Sequence, residues 1–218
     1  NILLLDNKLS SKYIFRKIID NNINVINFID INFFMKESSN ILFYFPKIHI
    51  NIFVNDLDKI KFNYLKNAST VYVKNDKIKK KLEKLVHFNK PEIKITKIIT
   101  FGTFDLFHIG HRNILEKCKN LSDNIVIGIS TDKLNKIKGK KSVDSLNKRI
   151  NNVKKFCKKS IVFKEHSLKE KDNYIKKYNS NILVMGDDWE NKFNWVSCDV
   201  LYFPRTHGIS STMLRNKF

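Results

Sequence analysis

Residues 100–111 read Thr-Phe-Gly-Thr-Phe-Asp-Leu-Phe-His-Ile-Gly-His. They join a short apolar strand, Ile98–Phe101, to a helical pattern that continues through Ile114 and Leu115. A helix N-terminus offers unpaired backbone N–H groups and the positive end of the helix dipole. This junction therefore predicts a site for an anion such as phosphate. Gly110, between the two histidines, predicts close approach of a ligand to the backbone.

The composition indicates a folded α/β protein. The chain has 218 residues, of which 42% are hydrophobic and 12% aromatic, enough for one large or two modest domains. Its net charge of +20 comes from lysine spread through the whole chain together with abundant asparagine and isoleucine. Because no nucleic-acid recognition motif accompanies this charge, we expect no nucleic-acid partner, although the charge would attract anionic nucleotides.

The cysteines and the apolar runs indicate a cytoplasmic protein. Cys118, Cys157 and Cys198 are far apart and lack metal-ligand spacing, which predicts free thiols in a reducing compartment. No apolar run approaches the roughly 18 residues of a membrane span. We see no secretory leader, and the start at Asn1 suggests a segment of a longer chain.

Apolar runs alternate with helical patterns along the first 95 residues, which predicts a small α/β domain with a largely parallel sheet. The predicted strands are Ile2–Leu5, Val25–Ile29, Ile41–Phe45, His49–Val54 and Thr70–Val73. The predicted helices, with caps at Ser10, Asp56 and Asp76, are Ser10–Asn21, Asp56–Asn67 and Asp76–Phe88. The Asn-Lys-Pro-Glu segment at 89–92 breaks the last helix and predicts domains of 1–95 and 96–218.

The role of the first domain cannot be read from its residues. Its pattern resembles half of a glycosyltransferase-like Rossmann unit, in particular at residues 65–73. His49 and His87 each stand alone, which is typical of structural or solvated histidines. We treat residues 1–95 as an α/β module of unknown role.

The alternation of strands and helices restarts after residue 95. The predicted strands are Lys97–Phe101, Asn124–Ser130, Ser160–Phe163, Ile182–Met185 and Val200–Phe203. The predicted helices are Gly110–Asn120, Ser145–Cys157, Lys169–Tyr178 and one from Ser211. A lysine-rich loop is predicted over Thr131–Val143.

The Gly-Thr-Phe-Asp-Leu-Phe-His-Ile-Gly-His string at 102–111 resembles the defining motif of the cytidylyltransferase family, a branch of the HxGH nucleotidyltransferases. Segments 129–132, 138–141, 184–193 and 204–212 also resemble the glycerol-3-phosphate branch of that family, in order and spacing. The similarity covers about residues 96–218. It implies a Rossmann-like parallel-sheet nucleotidyltransferase domain, preceded here by a smaller α/β domain.

The resemblance implies transfer of the cytidylyl group of CTP to glycerol 3-phosphate, which yields CDP-glycerol and pyrophosphate. CDP-glycerol feeds surface polymers such as teichoic acid. Mg²⁺ is expected because it commonly bridges nucleotide phosphates. Members of the family commonly form homodimers, which we expect here as well.

The resemblance also implies roles for particular residues. The implied catalytic residues are His108, His111, Lys140 and Arg205. The implied CTP site adds to these Gly102, Thr103, Phe104, Asp188, Thr206, Gly208, Ile209, Ser210, Ser211 and Thr212. The implied acceptor-binding residues are Asp105, Lys138, Arg149 and Lys171.

The chain departs from the family pattern at three positions. Cys157 and Ser160 stand where the family usually has an arginine and an aspartate, and His207 replaces a glutamate. Three alternatives stay open, and the altered segment at Cys157 and Ser160 bears on the second of them. The acceptor is another phosphorylated compound, such as phosphoethanolamine or phosphocholine; the domain is a catalytically impaired nucleotide-binding module; or the main activity belongs to the amino half, as a remnant of a transferase that consumes CDP-glycerol.

Overall fold

The computed structural model of the chain describes residues 2–5, 11–20, 23, 25–58, 61–86, 91–193 and 195–215. The chain divides into two compact units, Asn1–Thr96 and Lys97–Phe218. Within the described residues, each unit has one five-stranded sheet whose strands pair in parallel. The α/β fold class predicted from the sequence is confirmed. No helix in these ranges is both long and apolar enough to cross a bilayer.

The first unit winds its strands in chain order. Its strands are β1 Ile2–Leu5, β2 Val25–Phe28, β3 His49–Val54, β4 Thr70–Val73 and β5 Glu92–Ile95. Its helices are α1 Ser11–Asp20, α2 Ile31–Tyr44 and α3 Asp76–Leu85. Because the sheet order is β1-β2-β3-β4-β5 and parallel crossovers are right-handed, the helices fall on one face of the sheet. The apolar core lies there, where Ile14, Phe34 and Leu82 pack with strand residues such as Ile26 and Ile52.

The predicted strand Ile41–Phe45 is wrong, because these residues end helix α2. The side chain of Asp30 caps that helix by accepting the N–H of Phe33 at 2.7 Å. Phe34 and Ile41 then turn toward the core. A short apolar run fits a strand and a helix end equally well, and here tertiary packing selects the helix.

Two other predictions for the first unit are corrected. In place of the predicted helix Asp56–Asn67, the described residues of this segment have a 3₁₀ turn at Phe62–Asn67. The cap of α3 is Asn75, whose side-chain oxygen accepts the N–H of Ile78 at 3.1 Å, and Asp76 lies in the first turn. Strand β5 was not predicted. The predicted cap at Ser10 and the predicted helix end at Phe88 lie outside the described residues.

The described part of the second unit has the strands and α-helices predicted for it, and it also has the α-helix Asp132–Ile137. Its strands are β6 Lys97–Gly102, β7 Asn124–Ser130, β8 Ile161–Glu165, β9 Ile182–Gly186 and β10 Asp199–Phe203. Its helices are α4 Ile109–Leu121, α5 Asp132–Ile137, α6 Leu146–Phe156, α7 Lys171–Lys177 and α8 Ser211–Arg215. Helix α5 lies inside the predicted loop Thr131–Val143. It forms because the hydroxyl of Thr131 caps it, accepting the N–H of Leu134 at 3.2 Å.

The strand order of the second sheet is β10-β9-β6-β7-β8. The chain winds outward from β6 to β8, then returns to the other side of β6 and continues to β10. This is the doubly wound, Rossmann-like arrangement that the resemblance implied. In such sheets ligands bind outside the carboxyl ends of the strands where the order reverses, here β6 and β9.

Candidate active site

An open cavity of about 230 Å³ lies at this reversal point. Its walls come from the ends of β6 and β9, the start of α4, the basic loop after α5, and the segment that leads into α8. The sequence-predicted residues among its lining are Gly102, Thr103, Phe104, Asp105, His108, His111, Lys140, Asp188, Arg205, Thr206, Ile209, Ser210, Ser211 and Thr212. Residues from four separate segments of the chain thus share one cavity.

The turn after β6 has an unusual backbone. Phe104 and Leu106 have φ values of 53° and 55°, in the left-handed region that non-glycine residues rarely adopt. The Phe104 ring folds back onto Gly102, where an added Cβ would lie 2.9 Å from a ring carbon. A Cβ on Gly110 would likewise lie 3.0 Å from the His108 ring. Gly110 therefore makes room for an imidazole, where the sequence predicted room for a ligand.

His108 is held in one orientation. It is the N-cap of α4, and its Nδ1 accepts the N–H of Gly110 at 3.1 Å. A neutral ring then carries its proton on Nε2, which lies 3.3 Å from the Ser211 hydroxyl. That hydroxyl donates in turn to the carbonyl of Asp105 at 3.0 Å. Ser211 and Gly110 together present the Nε2–H group to the cavity.

His111 stacks on His108, with ring centroids 3.9 Å apart. Burial, followed by the neighbouring His108 and Arg205, lowers the pKa of His111 to about 3. Burial and Arg205 also lower the pKa of His108. Both rings are therefore neutral near pH 7 and act as N–H donors. Among the described residues, the buried Nδ1 of His111 has no hydrogen-bond partner.

Part of the cavity lining combines charged and aromatic groups. The guanidinium of Arg205 lies 3.6 Å from the carboxylate of Asp188, and both side chains are about half exposed. Asn113 donates to the hydroxyl of Thr206 at 2.9 Å. Trp189 contributes to the same wall. A planar base and a ribose need such a mixture of flat apolar surface and a few polar groups.

Asp105 organises the basic loop. Its carboxylate accepts the N–H groups of Val143 and Asp144 at 2.9–3.1 Å and is almost fully buried. Arg215 approaches the same carboxylate at 3.5 Å and donates to the carbonyl of Lys141 at 2.6 Å. These hydrogen bonds fix the loop beside the cavity, and the contact of Asp105 with the acceptor stays a prediction.

Lys140 is brought to the cavity by the fold of the loop. Its N–H donates to the carbonyl of Asn135 at 2.8 Å. The Asn135 side chain accepts from the Thr103 hydroxyl at 2.9 Å and donates to Ser142 at 2.8 Å. Buried Asn135 thus joins Thr103, in the turn after β6, to Lys140 and Ser142 in the basic loop.

Four predicted site residues do not line the cavity: Lys138, Arg149, Lys171 and Gly208. Arg149 is fully buried, and its guanidinium donates to the carbonyls of Asp144, Thr103 and Ser130 and to the carboxylate of Asp132. Lys171 is buried in an ion pair with Glu165. Both side chains are thus held by contacts inside the unit, and their contact with an acceptor stays a prediction.

Several lining residues were missed, among them Asn113, Lys117 and Arg215. Helical spacing from Gly110 would have identified two of them, because Gly110, Asn113, Ile114 and Lys117 recur on one face of α4. Arg215 had no such signal. Its partners, Asp105 and the carbonyl of Lys141, are far away in sequence.

The departures from the family pattern lie outside the cavity. Cys157 is buried at the end of α6, and its carbonyl accepts the hydroxyl of Ser160 at 2.8 Å. Neither residue lines the cavity. The substituted arginine and aspartate positions therefore do not interrupt its wall.

The fold, the paired histidines and the converging basic groups define a nucleotidyltransferase site. Residues 99–217 match the cytidylyltransferase-like family, and the chain belongs to this family. Glycerol-3-phosphate cytidylyltransferase of Bacillus spizizenii is 43% identical over 126 residues, which are 55% of this chain and 94% of that protein.

The same enzyme of Staphylococcus aureus is 33% identical over 123 residues, which are 56% of this chain and 93% of that protein. The structure of this protein superimposes on the crystal structure of the lipopolysaccharide core biosynthesis protein from Thermoplasma volcanium GSS1 with a TM-score of 0.42 and 18% sequence identity. The superposition covers 51% of this chain and 98% of the other chain.

Proposed function

We propose that this protein transfers the cytidylyl group of CTP to glycerol 3-phosphate and releases pyrophosphate and CDP-glycerol. One observation carries the proposal: the neutral pair His108 and His111 shares a cavity with Lys140, Arg205 and Ser211 at the reversal of a doubly wound sheet. The names of the similar proteins support the choice of substrates.

The reaction needs positioned donors more than it needs a strong base. A phosphate oxygen of the acceptor is already ionised at neutral pH and attacks the α-phosphorus of CTP. The bond from that phosphorus to the bridging oxygen breaks, and pyrophosphate leaves. Catalysis then depends on alignment and on stabilising the charge that develops on the phosphates.

The chain supplies these donors at fixed positions. The Nε2–H of His108 exchanges the Ser211 hydroxyl for a phosphate oxygen, and the stacked His111 donates beside it. Lys140 and Arg205 add positive charge to the same cavity. Because His108 and His111 begin neutral, phosphate binding adds hydrogen bonds without the repulsion that two adjacent imidazolium ions would cause.

Mg²⁺ belongs to the proposal as an ion that the triphosphate carries. In the described part of the chain, no group of three His, Cys, Asp or Glu side chains is arranged to hold a metal ion. The oxygens of Asp105 accept backbone N–H groups, whereas the carboxylate of Asp188 is about half exposed at the cavity. Mg²⁺ commonly keeps several waters and takes one or two carboxylates with substrate phosphates, so these residues fit it. When bound, it neutralises phosphate charge.

Three wider elements belong to the same proposal. The activity lies in residues 96–218, and the 1–95 module is left without an assigned activity. The enzyme works in the cytoplasm as a homodimer. Its product serves the synthesis of glycerol-phosphate surface polymers such as teichoic acid.

The test is to incubate the chain with CTP, Mg²⁺ and glycerol 3-phosphate, and to measure pyrophosphate together with the mass of the nucleotide product. We expect CDP-glycerol and an equal amount of pyrophosphate. Phosphoethanolamine and phosphocholine are run in parallel as acceptors. Faster turnover with either of them would overturn the assigned acceptor, and CTP binding without turnover on any acceptor would favour the impaired nucleotide-binding module.

A further inference from the structure

A chain of buried polar contacts runs behind the cavity wall. Lys171 Nζ donates to Glu165 Oε1 at 2.5 Å, and Glu165 Oε2 accepts from the Ser130 hydroxyl at 2.7 Å. Ser130 Oγ in turn accepts from Lys138 Nζ at 2.8 Å. Ser130 and Glu165 are register partners on β7 and β8, so the sheet holds the centre of this chain rigidly.

The direction of each hydrogen bond follows from the chemistry of the groups. A carboxylate only accepts, so Ser130 must use its single hydroxyl proton on Glu165. The lone pairs of Ser130 are then turned toward Lys138, whose ammonium has two further protons to offer. Glu165 thereby sets the orientation of the Lys138 ammonium without touching it.

Burial separates the roles of the two lysines. Ser130, Glu165 and Lys171 are at most 1% exposed, whereas Lys138 is half-buried. Lys171 also lies 3.6 Å from the centroid of the Phe101 ring, which encloses it further. Lys171 is therefore a counter-ion inside the unit, and Lys138 is the member of the network that can meet a substrate.

The charges around the network act on the pKa of Lys138 in opposite directions. Burial lowers the pKa of Lys138, and the nearby Lys140 and Arg149 lower it further, while Glu165 opposes all three. Burial lowers the pKa of Lys171 to about 8, again against the effect of Glu165. The carboxylate of Glu165 therefore helps both amines to stay protonated near neutral pH.

The network is joined to the cavity through Arg149. One of its guanidinium nitrogens, Nη1, donates to the carbonyls of both Thr103 and Ser130 at 2.8 Å. Thr103 lines the cavity, and so does Lys140, two residues beyond Lys138. The network thus reaches the cavity wall at Thr103.

We infer that Glu165 is a positioning residue for the acceptor: through Ser130 it orients the ammonium of Lys138 toward the acceptor phosphate, with Lys171 as its buried counter-ion. The inference rests on the proposed function, because it assigns Lys138 to the phosphate of glycerol 3-phosphate. It assigns to Glu165 and Ser130 roles that sequence reasoning did not give them.

A double-mutant cycle, measured by steady-state kinetics, tests the connection from Ser130 to Lys138. Ser130→Ala removes the connecting hydroxyl and keeps the Glu165–Lys171 pair. We expect it to raise KM for glycerol 3-phosphate about tenfold, with KM for CTP within twofold of wild type. In a Lys138→Met background, Ser130→Ala should have no further effect, because the group on which it acts is gone. Ser160→Ala, one residue before β8, is the matched control and should change neither KM.

Additive effects of the two substitutions, or an equal rise of both KM values, would overturn the inference. A second measurement needs no turnover: the pH dependence of amine acetylation at Lys138, followed by mass spectrometry. Glu165→Gln should move the half-reaction of Lys138 to lower pH and leave exposed Lys133 unchanged. Ser130→Ala, which keeps the buried ion pair, gives the same readout if Glu165→Gln fails to fold.

The two proposals fail in different ways. Wild-type protein that makes no CDP-glycerol overturns the proposed function, and a shift in Lys138 labelling then still supports the link from Glu165 to Lys138. Wild-type protein that makes CDP-glycerol, with Lys138 labelling unmoved by Glu165→Gln and by Ser130→Ala, overturns the inference alone.

Discussion

Both sheets of this chain are parallel, but their strand orders differ, and the cavity described above lies at the strand ends of the second sheet. In the first, neighbouring strands follow chain order from β1 to β5, whereas in the second the order reverses between β6 and β9. Consecutive winding sends every crossover to one face. A reversal sends them to both faces and opens a crevice at the carboxyl ends of the strands. Because both units are rich in lysine, positive charge does not distinguish them. The order of the strands does, and it places the cavity in the second unit.

The largest expected effect on activity comes from comparing a histidine of the second unit with a histidine of the first unit. His108→Ala should lower kcat/KM for CDP-glycerol formation by about 10²- to 10⁴-fold, because it removes a fixed donor to the transition state. His49→Ala, on β3 of the first sheet, should leave kcat/KM within twofold. Pyrophosphate release by both purified variants is the measurement. Equal losses in the two variants would contradict the division of roles between the units.

The second prediction compares two lysines of one segment. Lys140 lines the cavity, whereas Lys133 is exposed on α5 and does not. Lys140→Met should raise KM for CTP about 10- to 100-fold, the usual cost of losing a charge-assisted contact to phosphate. Lys133→Met removes the same charge and should change KM by less than twofold. Similar shifts in both variants would indicate that general positive charge, and not the cavity, attracts the nucleotide.

The third prediction concerns acid sensitivity of the second unit. The pKa of folded His111 is about 3, whereas an unfolded histidine titrates near ~6.5. Between these pH values the unfolded chain binds a proton that the folded chain does not, so the free energy of unfolding falls as the pH falls. The slope from this residue is at most about 1.4 kcal/mol per pH unit.

Urea unfolding at pH 8 and pH 5, followed by circular dichroism, tests this sign. His111→Gln should lose less stability than wild type between the two pH values. At pH 8 the histidine is neutral in both states, so that measurement isolates the packing cost of the substitution. An equal loss in both proteins would mean that the folded ring is protonated as easily as the unfolded one.

The smallest effect belongs to the first unit. Asn75→Ala should lower the free energy of unfolding by about 1 kcal/mol, because it removes the side-chain cap of α3. Asp76→Ala, at the cap position predicted from the sequence, should cost less. Both variants should keep full kcat/KM. A measurable loss of activity in either would show that the first unit contributes to catalysis.

Sequence reasoning succeeded where function depends on a continuous string. Residues 102–111 contain a turn, a strained backbone and two histidines within one segment, so His108 and His111 could be located without coordinates. The strands of the second unit were also predicted, since their apolar runs are bounded by polar turns. The same approach failed at Ile41–Phe45, where the local pattern fits two structures and packing against the sheet selects one.

The positions of Lys171 and Arg149 show what residue type alone does not determine. Their residue types suit phosphate binding, and lysine and arginine are usually exposed. In the structure both are buried, because Glu165 on β8 and the carbonyls of Asp144, Thr103 and Ser130 meet them inside the unit. Partners that lie on other elements leave no signal in the local pattern.

The amino-acid sequence alone was sufficient to predict the class of reaction. The motif, its glycines and the nearby basic residues lie within short stretches of the chain, so they can be recognised without the tertiary structure. Which side chains reach the cavity and which become internal counter-ions was settled only when β6, β7, β8 and β9 came together. Two of the side-chain contacts join residues that are 17 and 110 positions apart in the sequence, and that proximity exists only in the folded unit.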